Sequence, residues 1–286
     1  MLQGLITTIV TLTTLSALAA TSAQDVTILN LNDPQVQKKI SEANWKAKDN
    51  WLNHLPRAQV QRMLGVQEIV NDDVQFGAHP VYSAFSSADT IDWRNKDGVN
   101  WLSPILNQGN CGSCVAFAAV ATLESQINIS ALAPTLNIKL SPQALFSCGG
   151  GGCDTGWFPD SAAQQLKDQG VPDEACAPYL SGTTGQDLSC STICRDNQRR
   201  SFRIRDYSTP TSYFKDLNAI KTALKKGPLM TTMRVYEDFM VYAGGVYKHT
   251  TGSMLGGHAV SLIGFDDAKR AFIIRNSWSE DWGDKG

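Results

Sequence analysis

Seven cysteines constrain the fold of this chain more than any other feature, because all of them lie between residues 111 and 194. Disulfides form and persist outside the reducing cytosol, so their pairing depends on whether the chain is exported. In an exported chain, an odd number leaves at least one thiol unpaired or paired between chains. One of the following is therefore a candidate reactive thiol: Cys111, Cys114, Cys148, Cys153, Cys176, Cys190 and Cys194.

The N-terminus predicts export. An apolar, Thr-rich run from Leu5 to Ala20 is followed by small residues and then by a polar chain. This pattern is typical of a signal peptide over residues 1–23, cleaved near Ala19 or Ala23. The run is short for a membrane span of roughly 20 residues, although the lack of Lys or Arg before it leaves a membrane anchor as the alternative. We expect a secreted or lysosomal/vacuolar protein without a membrane partner.

Charge argues against one class of partner. Lys and Arg number 25 against 27 Asp and Glu, which gives a formal net charge of −2. Proteins that bind nucleic acid use basic surfaces to neutralise phosphates. We therefore expect no nucleic-acid partner.

The residues before the first cysteine differ from the rest of the chain in composition and pattern. Residues 24–85 contain no cysteine and show helical patterning in "SEANWKAKDNWL" and "RAQVQRMLGV". The small-residue stretch "AHPVYSAFSSADT" then predicts a linker. We interpret residues 24–85 as a removable pro-segment, with an ordinary N-terminal subdomain as the alternative, and residues 86–286 as the main domain.

The sequence pattern of the main domain changes halfway, from helical patterns to β-branched runs. Its first half predicts helices in "CVAFAAVATLESQI", in "LSPQALFSC" with Ser141 as N-cap and Pro142 at the first helical position, and in "FPDSAAQQLKDQG" up to Gly170. After the helical "DLNAIKTALKKG", β-branched runs predict strands in "LMTTMRV", "GGVYK", "HAVSLIGF" and "AFIIRN". This order predicts an α+β fold with a helical lobe, a β-sheet or barrel-like lobe and a ligand cleft between them.

The C-x-x-C pair Cys111 and Cys114 has three interpretations. Structural zinc needs four ligands, and Cys190 and Cys194 could supply two, but an oxidising compartment favours disulfides, so we expect no metal. A thioredoxin-like redox pair would follow a buried strand, whereas the turn "SPILNQGN" precedes this one. The third interpretation pairs the other six cysteines and leaves Cys114 free.

The position of Cys114 suits a nucleophile. Gly112 and Ser113 disfavour helix just before the apolar helical pattern begins, so Cys114 is expected at a helix N-terminus. The unpaired N–H groups there stabilise a thiolate and lower its pKa from about 8.5. His258, at the start of an apolar strand beside Gly257, is the candidate base, because His249 lies in a polar turn typical of a surface histidine.

Further side chains would complete an acyl-transfer site. Asn276 in "IIRNSW" could hold the imidazole in one tautomer, with Trp278 as an apolar cover. The N–H of Cys114 and the amide of Gln108 could stabilise an oxyanion.

These residues resemble the papain-like (C1 family) cysteine proteases, whose His and Asn also lie far downstream of the Cys. Further matches are "QGNCGSC", "LSPQALFSC", "GCDTGW", "GGHAVSLIGF" and "NSWSEDWGDKG". The segment "NWKAKDNW", the "GGHAV" motif and the "EACAPY…CSTIC" pattern are similar to the cathepsin B branch. The resemblance implies a papain-like two-lobe fold with Cys114 as nucleophile, His258 as base and acid, Asn276 as its orienter and Gln108 as oxyanion donor.

The resemblance also implies partners and pairings. It implies a secreted zymogen without a cofactor that acts as a monomer on protein or peptide substrates and is inhibited by its own pro-segment. Substrate contacts would fall on Gly156, whose backbone pairs with the substrate, and on Thr155, Gly257 and Trp278. The implied disulfides are Cys111–Cys153, Cys148–Cys190 and Cys176–Cys194.

Three departures from the family pattern matter. Val115 stands where an aromatic residue is usual, and Thr155 replaces a glycine and could crowd the cleft. Residues 177–189 are short and contain no histidine, so the occluding loop of cathepsin B is missing and we predict an endopeptidase, not a carboxydipeptidase. The family also continues beyond the position of Gly286, which indicates a fragment or a shortened barrel.

Two alternatives to a protease remain open at this point. One is a non-catalytic papain-fold binding protein, and the other is a thiol–disulfide exchanger that uses Cys111 and Cys114. A glycosylation sequon at Asn128 would be used only if that residue is exposed.

Overall fold

The first lobe is built on one long apolar helix. The computed structural model describes residues 27–67, 89–210 and 216–286, so the predicted signal peptide and most of the predicted linker lie outside the described residues. Helix α3 (Cys114–Ser130) is buried along most of its length. Helices α4 (Pro142–Gly149) and α5 (Pro159–Asp168) pack against it.

Local signals in the sequence fix the ends of α4. The Ser141 hydroxyl accepts a hydrogen bond from the Ala144 N–H, and Pro142 occupies the first turn, where a missing N–H costs nothing. Gly150 ends the helix in the left-handed region at φ 88°, which a glycine adopts without strain. The predicted capping of this helix is confirmed.

The second lobe is an antiparallel sheet centred on one long strand. Strand β5 (Met254–Asp266) pairs with β2 (Thr90–Asp92), β3 (Leu229–Tyr236) and β6 (Ala271–Arg275). Its inner residues are almost all buried, as expected for a central strand. In the described part of the chain the sheet stays open, so the predicted barrel-like lobe is not a closed barrel.

Several short elements follow α5 along the chain. They are α6 (Ser181–Thr184), α7 (Asn197–Arg200), α8 (Leu217–Leu224) and the 3₁₀ turns Cys190–Thr192 and Glu237–Val241. Three disulfides, Cys111–Cys153, Cys148–Cys190 and Cys176–Cys194, cross-link residues 111–194 of the first lobe. They are the pairs that the resemblance implied, and they leave Cys114 as a free thiol.

The N-terminal segment, residues 27–67, lies against both lobes. It contains α1 (Pro34–Glu42), β1 (Trp45–Ala47), a 3₁₀ turn (Trp51–His54) and α2 (Arg57–Met63). Helical patterning in "SEANWKAKDNWL" was therefore the wrong interpretation at Trp45–Ala47, which pairs with β4 (Tyr242–Gly245). Tertiary contact decides this stretch, because the Trp45 ring packs edge-on against Tyr247 at 5.4 Å.

The segment shares a hydrophobic core with the second lobe. Leu52, Val60 and Met63 are fully buried, in one cluster with Trp278 and Trp282. Because this cover is apolar, its removal would expose a patch of the second lobe to water.

Three absences in the described residues bear on the sequence analysis. No described helix is long and apolar enough to cross a bilayer. Within the same residues, no group of three or more His, Cys, Asp or Glu side chains could hold a metal ion. Asn128 of the sequon is buried and donates its amide to the Trp101 carbonyl, so this side chain is not available for glycosylation in the folded protein.

Candidate active site

Cys114 is the first residue of α3 and is completely buried. Backbone N–H groups near the thiol, including those of Ala259 in β5 and Gly65 in the N-terminal segment, favour its ionised form. The side chain of Ser113 does not cap the helix. The thiol therefore lies where the two lobes and the N-terminal segment meet.

The predicted lowering of the Cys114 pKa is wrong for this form of the protein. Burial raises the pKa of the thiol to about 11, and the surrounding N–H groups offset only part of that effect. Helix-start donors do favour the thiolate, as the sequence predicted, but removing an anion from water opposes them more strongly. Cys114 is a neutral thiol while the segment covers it.

His258 lies in β5 with a fixed orientation. Its Nε2 is 2.7 Å from the Asn276 Oδ1, which makes Nε2 the donor and leaves the lone pair on Nδ1. The Trp278 ring stacks on the imidazole at 4.6 Å between centroids. Among the described residues, Nδ1 has no hydrogen-bond partner.

The imidazole is also neutral. Burial lowers the pKa of His258 to about 4, although the hydrogen bond to Asn276 raises it somewhat. A neutral imidazole with a free Nδ1 lone pair can accept a proton. The role of His258 as the base stays a prediction, with which a neutral ring and an unpartnered Nδ1 agree.

Gln108 is held rigidly where the lobes meet. Its Nε2 donates to the Met63 carbonyl at 2.9 Å and to the Cys111 carbonyl at 3.0 Å. Its Oε1 accepts from the Ser277 hydroxyl at 2.7 Å. An amide held in this way can present an N–H to a carbonyl oxygen without reorganising.

The N-terminal segment runs through the cleft as an extended chain. The Gly65 carbonyl accepts from the Trp157 N–H at 2.7 Å, and the Val66 N–H donates to the Gly257 carbonyl at 3.2 Å. Both bridges are parallel. Gly257, predicted as a substrate contact, thus binds a peptide backbone in the structure.

The other predicted contacts differ in their surroundings. The backbone of Gly156 pairs with Gly152, and the next residue, Trp157, pairs with the segment. Gly156 has φ 73°, and a methyl group there would lie 2.0 Å from the Gly65 carbonyl. Thr155 is exposed and accepts from the Gln67 side chain through its carbonyl.

Two supporting residues were missed by the sequence analysis. Ser277 orients Gln108, and the Tyr179 hydroxyl bridges the Ser113 hydroxyl and the Gln108 carbonyl at 2.6 and 2.7 Å. Ser277 could have been suspected as the neighbour of Asn276. Tyr179 carries no local signal, since only the folding of residues 176–194 brings it to Gln108.

Two open questions from the sequence can be decided at this site. Cys111 is bonded to Cys153, so Cys111 and Cys114 do not form an exchange pair in this structure. Val115 is fully buried in the core cluster of the first lobe, so its smaller side chain leaves the start of α3 packed.

The helical lobe and the β lobe together form a papain-like α+β fold. A thiol, an imidazole and two amides lie where the two lobes meet. A family model described as "Papain family cysteine protease" matches residues 87–286, and the chain belongs to that family. The resemblance drawn from the sequence is confirmed.

Individual relatives point to one branch of the family. The chain is 35% identical over 274 residues to "Cathepsin B-like CP3" of Giardia intestinalis, covering 93% of this chain and 89% of the relative. It is 30% identical to "Cathepsin B-like protease 1" of Arabidopsis thaliana, covering 93% and 80%. The fold is similar to "proCathepsin B S9 from Trypanosoma congolense", with a TM-score of 0.68, 22% identity and 91% of each chain covered.

Proposed function

We propose that this chain is the zymogen of a papain-type cysteine endopeptidase. One observation carries the proposal: a peptide segment crosses the cleft with the Met63 carbonyl on Gln108 Nε2 and with Gly65 beside the Cys114 thiol. A peptide that is to react with the thiol needs a carbonyl oxygen at such a donor, next to the sulfur.

The reaction would begin at Cys114. His258 Nδ1 takes the thiol proton as sulfur attacks the peptide carbonyl carbon, while Gln108 Nε2 and the Cys114 N–H stabilise the negative oxygen. The C–N bond then breaks, His258 returns the proton to the leaving amine, and a thioester remains.

Water completes the cycle. It gives a proton to His258, attacks the thioester carbonyl and releases the carboxylic acid, and sulfur recovers the proton. Asn276 holds the ring so that Nδ1 carries the transferred proton in both halves.

Residues 24–85 would act as the inhibitory pro-segment. Support comes from residues 57–67, since Gln108 and Gly257 already bind this part of the chain and cannot bind substrate at the same time. The neutral thiol and neutral imidazole agree with an inactive form. The pro-segment would thus block the site and suppress the thiolate.

Endopeptidase activity and export follow from other features. Residues 177–189 form a short loop without histidine, closed by the Cys148–Cys190 and Cys176–Cys194 disulfides. We propose that it leaves both ends of the cleft open to a long peptide. Three disulfides and the N-terminal apolar run support a secreted or lysosomal/vacuolar monomer that acts on proteins or peptides.

The test compares alkylation of Cys114 in the full chain and after removal of residues 24–85. In the full chain, we expect slow reaction with iodoacetamide from pH 5 to 8, because the thiol titrates near 11 and His258 near 4. After removal, reaction should be faster and an internally quenched peptide blocked at both ends should be cut.

His258→Ala is the control, since it removes the base and keeps the thiol. If the processed, folded protein neither reacts nor cuts, the chain is a papain-fold binding protein. Release of dipeptides alone from free C-termini would contradict the endopeptidase assignment.

A further inference from the structure

One phenol connects the two parts of the chain that carry the proposed oxyanion donors. The Tyr179 hydroxyl lies 2.7 Å from the Gln108 carbonyl oxygen and 2.6 Å from the Ser113 hydroxyl. A carbonyl can only accept, so Tyr179 donates its one proton to Gln108 and accepts a hydrogen bond from Ser113. Gln108 and Ser113 are both fully buried, so the directions of these two bonds are defined.

Each partner of the Tyr179 hydroxyl is directly bonded to one donor. Gln108 carries the first donor, Nε2, on its own side chain. Ser113 shares a peptide bond with Cys114, whose N–H is the second donor. The Ser113 side chain does not cap α3, and its hydroxyl is used for Tyr179 instead. A single hydroxyl therefore links the backbone that carries both donors.

The first lobe holds the phenol in place. The Tyr179 ring meets the Phe117 ring of α3 edge-on, at 4.7 Å between centroids. The Tyr179 N–H donates to Glu174 Oε1 at 2.9 Å, and the N–H groups of the next two residues both donate to Gln143 Oε1 of α4 at 3.0 Å. These partners all lie outside the N-terminal segment, so the contacts remain when that segment is removed.

Close packing limits how far the phenol and Gln108 can move. A methyl group built on Gly182 would lie 2.3 Å from the Gln108 carbonyl oxygen and 2.7 Å from Tyr179 Cε1. The Gly182 carbonyl in turn accepts from the Asn110 N–H at 2.9 Å. The loop that carries Tyr179 therefore packs directly on the turn that carries Gln108.

The Tyr179 hydroxyl is a donor and not an acid or base of the reaction. Burial raises the pKa of Tyr179 above its ordinary value, and the hydrogen bond from Ser113 offsets only part of that effect. The phenol therefore keeps its proton on the Gln108 carbonyl at neutral and acidic pH.

We propose that Tyr179 is a positioning residue that fixes the two oxyanion donors relative to each other. Donors that are already in place when charge develops on the substrate oxygen need no reorganisation during the reaction. Because Ser277 also holds the Gln108 side chain, loss of the Tyr179 hydroxyl should displace the donors without removing them. This inference rests on the proposed function and deepens it, because it names a residue that acts through the donors without touching substrate.

The experiment compares Tyr179→Phe with wild type, each made as the full chain and processed by limited proteolysis. Loss of an oxyanion donor costs about 10²–10³ in kcat, and a displaced donor should cost less, so we expect kcat on a blocked peptide to fall about tenfold with KM changed less than about twofold. Iodoacetamide labelling of Cys114 should stay within about twofold of wild type, because alkylation needs the thiolate but forms no oxyanion. General damage to the fold would lower both rates together.

Two further variants sharpen the test. Tyr207→Phe removes the same group from an exposed tyrosine whose hydroxyl donates to Gln164 Oε1 at 3.0 Å, and it should match wild type in both assays. In a Gln108→Ala background, Tyr179→Phe should lower kcat further by less than about threefold, since the donor that Tyr179 holds is already gone.

The failures of the two proposals are distinguishable. If processed wild type neither cuts the peptide nor reacts with iodoacetamide, the proposed function fails and this role fails with it. The positioning role alone is refuted, and the protease assignment stands, if wild type is active and Tyr179→Phe keeps the wild-type kcat. It is refuted in the same way if Tyr179→Phe loses labelling as strongly as kcat, or if its full loss of kcat persists in the Gln108→Ala background.

Discussion

At the scale of single residues, burial sets the chemistry of Cys114 and His258. The start of α3 provides N–H donors to the thiol, yet its pKa is raised to about 11 because the sulfur is shielded from water. His258 is shielded as well, and its pKa falls to about 4. The same two residues can therefore be inert in the covered protein and reactive once water and substrate enter.

Replacing Asn276 with alanine tests how the imidazole is held. We expect kcat of the processed protein to fall about 10²-fold with little change in KM, because His258 Nε2 loses its acceptor at 2.7 Å and the ring can rotate or change tautomer. Steady-state kinetics on a blocked peptide measures both values.

The control for this substitution is Asn218→Ala, at an exposed asparagine in α8. It should leave both constants unchanged. An Asn276→Ala enzyme with wild-type kcat would show that Asn276 does not position His258 during the reaction.

At the scale of elements, the N-terminal segment fits the cleft through close backbone contact. A methyl group at Gly65 would lie 2.0 Å from the Gly112 carbonyl oxygen, and one at Gly256 would lie 3.0 Å from the Leu64 Cβ. Only a residue without a side chain can pass Gly112 at this distance. The identity of Gly65 is therefore part of how the cleft is closed.

Gly65→Ala should weaken this closure. Since the methyl group would overlap rigid backbone, we expect the segment to shift and alkylation of Cys114 in the unprocessed chain to speed up about tenfold or more. The rate of iodoacetamide labelling at pH 7, followed by mass spectrometry, measures the effect.

Lys38→Ala serves as the matched control on the same segment, because that side chain is 75% exposed in α1. Its labelling rate should equal that of wild type. An unchanged rate in Gly65→Ala would mean that this residue does not contribute to covering Cys114.

At the scale of the whole molecule, two described side chains, the acidic Glu124 and the basic Arg275, are buried between the lobes without a hydrogen bond or ion pair to each other. Glu124 of α3 accepts from the Leu140 N–H at 2.7 Å and from the Ser103 hydroxyl. Arg275, at the end of β6 and next to Asn276, donates to the Pro104 carbonyl. Burial lowers the pKa of Arg275, and the negative charge of Glu124 offsets part of that effect. Both side chains line a small pocket of about 10 Å³ between α3 and β5.

Removing the Glu124 carboxylate should destabilise the fold. Glu124→Ala leaves the buried Leu140 N–H without its acceptor and removes the negative charge that acts on Arg275, so we expect the free energy of unfolding to fall by about 1–3 kcal/mol. Urea denaturation of the unprocessed chain measures the change, and the double variant Glu124→Ala/Arg275→Met should lose less than the sum of the single losses.

Glu42→Ala, in an exposed pair with Lys38, is the control and should change stability by less than about 0.5 kcal/mol. A loss below about 1 kcal/mol in Glu124→Ala would mean that water or another group already compensates Arg275.

How much the sequence could predict varies from element to element. Helix α4 was predictable because Ser141, Pro142 and Gly150 act on their own neighbours. Strand β1 was not, since Trp45–Ala47 has helical patterning and becomes a strand only by pairing with β4. Cys114 and His258 were selected as candidate nucleophile and base from their local context. Tyr179 and Ser277 were not selected, because only contacts between distant parts of the chain bring them to Gln108.

The sequence by itself determined the family, the order of helices and strands, and the free thiol at a helix start, because these depend on motifs and on patterns within short stretches. Only the tertiary structure decided the protonation of Cys114 and His258, the contacts of Gly65 with the cleft and the ion pair between Arg62 and Asp154. The physical reason is that desolvation and close backbone packing depend on which distant residues meet, and the local sequence pattern does not indicate which residues these are.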